Sequence, residues 1–65
     1  MTKKDCYKLI SSIRSNWGGK SFDFDRATRS LAQALIRCKD EEALPAIEAT
    51  ISELEKRQLY HLFKG

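Results

Sequence analysis

The strong helix breakers of this 65-residue chain fall at only two internal places, Gly18-Gly19 and Pro45, with Gly65 at the end. They divide the sequence into three segments, and each carries apolar residues at helical spacing. Valine is absent, while Leu, Ala, Lys, Arg, Glu and Gln are plentiful. These residues lose little side-chain freedom in a helix. The expectation is a single all-α domain over 1–65, a small three-helix unit with helices at 3–17, 24–38 and 41–63.

The first segment opens at Thr2, a helix cap with Asp5 three residues on. Cys6, Leu9, Ile10, Ile13 and Trp17 form its apolar stripe, and Gly18 is expected to close it as a left-handed residue. Lys4, Lys8, Ser11 and Ser15 fall opposite. The second segment starts at Asp23, with Phe22 before the cap and Ala27 inside, the arrangement of a hydrophobic staple. Phe24, Thr28, Leu31, Leu35 and Cys38 give the seam, widened by Ala27, Ala32 and Ile36. Asp40 is the expected cap of the third segment, with Glu41 and Glu42 at its positive N-terminal end. Pro45 is tolerated near a first turn, and should bend it or move the regular start toward Leu44.

The third segment changes character along its length. Leu44, Ile47, Ile51 and Leu54 make an even stripe. Leu59, Tyr60, Leu62 and Phe63 then spread over far more than one face. A helix over 41–63 also outruns two shorter neighbours, so its apolar end overhangs. Exposed apolar patches of that kind mark contact sites. Leu59, Tyr60, Leu62 and Phe63 are therefore the expected self-association surface, forming a homodimer. The competing expectation is that the first helix folds Tyr7 and Trp17 over that end.

Charge is divided too. The net charge of +3 conceals +6 in residues 1–39 and −3 in residues 40–65. The halves either attract each other, within a chain or across a dimer, or leave a basic face for a partner. Arg26, Arg29, Gln33 and Arg37 lie together on the far side of the second helix. Arginine forks fit phosphates and carboxylates, and Arg or Gln can read base edges. With Lys4 and Lys8 they form the candidate contact surface for a partner or nucleic acid. The bland reading is a solvated face, or one that ties the second helix to Glu48, Glu53 or Glu55. The connection between helices 1 and 2 is longer than in a helix-turn-helix, which favours a protein partner over DNA.

No arrangement for catalysis is visible. Gly19-Lys20-Ser21 imitates the tail of a phosphate loop, but Arg14 stands where that pattern needs glycine. His61 is the sole histidine, with Arg57 and Gly65 four residues away on either side. Cys6, Cys38 and His61 supply only three of the four ligands of a structural zinc site. No metal, cofactor or small-molecule substrate is expected. Both cysteines lie on apolar seams and are expected buried and unlinked. The N-terminus lacks a signal-peptide h-region and no apolar run reaches membrane length, so a cytoplasmic location is expected. The sequence thus points to a non-enzymatic interaction protein that self-associates. It would regulate a larger protein of the gene-expression or DNA-handling machinery. Direct DNA binding by the second helix is the alternative.

Overall fold

In a computed structural model, the chain is described over residues 1–64, with side-chain surroundings for 1–63. Three helices follow one another, α1 (Lys3–Asn16), α2 (Phe24–Arg37) and α3 (Ala43–Lys64), and the described residues contain no strand. The Thr2 hydroxyl accepts from the Asp5 amide at 3.2 Å, capping α1. The Asp23 carboxylate accepts from the Arg26 amide at 3.0 Å, capping α2. Each cap satisfies an amide that has no partner inside the helix.

Two helix ends differ from expectation. No glycine among the described residues has a positive φ. α1 instead ends through Trp17 in right-handed helical geometry, its amide donating to the Ile13 carbonyl at 2.9 Å. Gly18 therefore does not act as a left-handed cap. At the start of α3, the Asp40 side chain accepts from the Glu42 amide at 2.9 Å. Its carbonyl accepts from Ala43 and Leu44. Glu41 and Glu42 sit in this turn and regular helix begins at Ala43. Pro45 thus occupies the first turn, where its missing N–H leaves no bond unmade.

The helices alternate in direction. Lys3 pairs with Glu42 and Arg14 with Glu53, so α1 and α3 run parallel and in step. Phe24, at the start of α2, meets His61 near the end of α3, with ring centroids 5.4 Å apart. The N-terminal ammonium donates to the Arg37 carbonyl at 3.4 Å, at the other end of the bundle. α2 is thus antiparallel to both neighbours.

Cys6, Ile10 and Ile13 of α1, Ala27, Leu31 and Ala34 of α2, Cys38 beyond it, and Ala43, Ile47 and Leu54 of α3 form the core. Leu9, Trp17, Phe22, Phe24, Leu35, Leu44 and Ile51 pack around it, half-buried. Both thiols are buried and free, as their seam positions imply. Ile36 and Ala32 do not widen the α2 seam. Both are exposed, Ile36 at 83%. At about 100° per residue they stand roughly 100–140° from Leu31, too far round to reach the core.

α3 has 22 residues against 14 for each neighbour. At about 1.5 Å per residue that is an excess of roughly 12 Å, and the molecule measures 37 × 16 × 15 Å. No helix among the described residues is long and apolar enough to cross a membrane.

Candidate functional site

The overhanging end of α3 is one of two candidate surfaces. Leu59 is 54% exposed, Tyr60 60%, Leu62 73% and Phe63 88%. The reason lies in the register of the last turns. The core face of α3 runs through Ala43, Ile47, Thr50 and Leu54, and its continuation carries Gln58 and His61 rather than apolar residues. The apolar side chains stand off that face. α1 does not fold over them in the way the competing expectation requires. Trp17 reaches Arg57, whose guanidinium lies 4.2 Å from the ring centroid. Tyr7 lies on a separate strip along α1, beside Lys3, Lys4, Lys8 and Ser11.

The second surface is the outer face of α2. The side chains of Arg26, Arg29, Gln33 and Arg37 are exposed. Among the described residues they make no ion pair or side-chain hydrogen bond. They do not tie α2 to α3. Glu53 is taken by Arg14, with Nη1 2.9 Å from Oε2. Glu48 and Glu55 are without ion pairs among the described residues. Attraction between the basic and acidic halves is carried by α1, through Lys3–Glu42 and Arg14–Glu53. The Glu42 carboxylate raises the Lys3 pKa through its hydrogen bond and its charge. Ile36 stands beside Arg29, Gln33 and Arg37 on this face, an exposed apolar residue among cations.

The structure does not join Lys4 and Lys8 to the α2 arginines. They line the α1 strip, and no α2 residue lines it with them.

A third feature had no sequence signal. Two cations reach the Trp17 ring, with the Arg14 guanidinium 5.2 Å and that of Arg57 4.2 Å from its centroid. Arg14 Nη2 also donates to Thr50 Oγ1 at 3.3 Å, and Thr50 donates to the Ala46 carbonyl at 2.7 Å. Trp17, Glu53, Lys56, Arg57, Tyr60 and His61 line an open groove here. The partners are about 40 residues apart in sequence, so no local pattern announces them. Its interactions pin the end of α1 to α3.

The chain was compared with family models, curated proteins and solved structures, and none of them matches.

Proposed function

We propose that this chain is a non-enzymatic interaction protein that self-associates through the end of α3 and docks on a larger protein through α2. The observation that carries this reading is the exposure of Leu59, Leu62 and Phe63 on a helix that outruns its neighbours. Burying large apolar side chains contributes about 1.5–3 kcal/mol each, and only a second surface can supply that burial here. The unpaired arginines of α2 supply the other half. Arg26, Arg29 and Arg37 favour carboxylates, and Ile36 offers an apolar anchor among them. Such a mix suits an acidic protein surface with an apolar centre. The role is that of a regulatory or accessory factor.

Sedimentation equilibrium tests the first half. The native chain should exceed its 7.5 kDa monomer mass at high micromolar concentration, and Leu59→Ala and Phe63→Ala should associate more weakly. A chain that stays monomeric removes the reading.

Direct DNA binding by α2 is the second reading, favoured by the same unpaired arginines. Duplex affinity would then fall steeply with salt, by about 0.9 log units per log unit of salt for each phosphate neutralised. Replacing Arg26, Arg29 and Arg37 with Gln should flatten that slope. A shallow slope in the native chain leaves the protein-docking reading in place.

A further inference from the structure

The groove beside Trp17 holds cations that the fold leaves unpaired. Arg14 is committed, with Nη1 on Glu53 and Nη2 on Thr50. Arg57 is not. Its guanidinium lies 4.2 Å from the Trp17 ring centroid, and among the described residues it makes no ion pair or hydrogen bond. Lys56, which lines the same groove, likewise makes none among the described residues. Glu53 is the one acid in the lining, and Arg14 already neutralises it. Lys56 and Arg57 thus give the groove a positive charge with no counterpart in the described part of the chain.

An arginine held against an aromatic ring is prepared for an anion. The ring restricts the side chain, while the donors at the rim of the guanidinium plane stay open. That fork matches two oxygens of a phosphate, and little further freedom is lost when it binds. Size argues for more than a bare ion. The groove has a volume of about 700 Å³, within the range of about 300–1,000 Å³ typical of small-molecule sites. Its lining is also aromatic. Tyr60 is 60% exposed, and His61 is fixed edge-on against Phe24 at 5.4 Å. At about 100° per residue, Lys56, Tyr60, Arg57 and His61 share an arc of roughly 140° on α3, and Leu59 and Leu62 stand outside it.

We propose that this groove binds a nucleotide, with its phosphate on Arg57 and Lys56 and its base against Tyr60. Two cations match the charge of one phosphate monoester. A flat base matches an aromatic wall, because every base has a face to stack. A phosphate next to an accessible base occurs in a free nucleotide and in a single strand, and a duplex hides its bases within its own stack. The groove lies apart from the outer face of α2 and from Leu59 and Leu62, so its occupant competes with neither surface.

Chemical-shift mapping of the nitrogen-15-labelled native chain tests it, with adenosine monophosphate, adenosine, inorganic phosphate and a short oligodeoxyadenylate as probes. The monophosphate should saturably shift the amides of Arg57 and Tyr60 and the indole signal of Trp17, the sole tryptophan. Adenosine and inorganic phosphate, each lacking half of the contacts, should bind at least about tenfold more weakly. Arg57→Gln should weaken the monophosphate about tenfold. Lys56→Gln, at an exposed position away from the Trp17 contact, should weaken it about threefold, and it keeps the test decisive if circular dichroism shows Arg57→Gln unfolded. An oligonucleotide that binds more tightly than the monophosphate, at the same residues, makes a single strand the source. Equal or weaker binding makes it the free nucleotide. No saturable shift at millimolar monophosphate would overturn the site. So would shifts confined to Arg26, Arg29 and Arg37, inorganic phosphate binding as tightly as the monophosphate, or an affinity unchanged in Lys56→Gln.

Discussion

Gly18 and Gly19 are adjacent in sequence and unlike in surroundings. A Cβ added to Gly18 would meet nothing within 4 Å, while one added to Gly19 would come within 3.2 Å of the Asn16 carbonyl oxygen. Neither residue has a positive φ. Gly18→Ala should therefore raise stability by about 0.4–1 kcal/mol, through the reduced freedom of the unfolded chain. Gly19→Ala should gain less or lose stability, because the carbonyl must shift. Thermal melting of the two variants gives the order, and a destabilised Gly18→Ala would restore the left-handed cap. At Cys6, burial first and the neighbouring Cys38 second hold the thiol pKa above its ordinary value of 9.0. Folding thus favours the protonated thiol. That contribution is present in full below the unfolded pKa and is lost as pH rises through the folded one. Stability should fall above about pH 9 through this group, and alkylation of native Cys6 should be slow until denaturant is added. Replacing Cys6 with Ala should remove the thiol's share of the alkaline loss in urea titrations. Fast alkylation of the native thiol would place the α1 seam on the wrong side.

What decides each helix is local at its beginning and remote along its side. Thr2 and Asp23 could be read as caps because the side chain and the amide it binds lie three residues apart. The core stripe of α1 could be read for the same reason, since periodicity reports angle. The width of a stripe is another matter. Ile36 is apolar but stands about 140° round from Leu31, and whether a residue that far round is covered depends on where α1 and α3 lie. Gly18 misled because glycine after an apolar stripe commonly ends a helix, while Trp17 here stays helical with its ring against Arg14 and Arg57. Those two arginines join residues distant in sequence, and so does the bond from Arg14 to Thr50. The exposed end of α3 was legible, because its apolar residues could not all face one neighbour. Thr50 tests the α1–α3 junction. It is fully buried and its hydroxyl both donates and accepts. Thr50→Val keeps the shape and removes the acceptor, so urea unfolding should show a loss of about 0.5–1.5 kcal/mol. In an Arg14→Gln background the same change should cost less. Equal costs in both backgrounds would show that the bond adds nothing.

Over the whole molecule, the charge division of the sequence acts in two places. α1 directs two of its cations to α3, and the cations of α2 remain outward. A chain of this size buries about 60% of its unfolded surface and is stabilised narrowly. A bundle that also leaves Leu62 and Phe63 in water gains further stability when those residues are covered, so the proposed self-association would be linked to folding. Trp17 gives that linkage an optical handle. It is the only tryptophan in the chain, and it sits where the end of α1 meets the last turns of α3. Its emission is therefore a private signal from one junction, while far-ultraviolet dichroism averages over all three helices. Where the two melt together, the bundle opens as a unit. Where emission changes first, the end of α1 has lifted away while the remaining helix persists, and the fluorescence of one ring has timed the detachment.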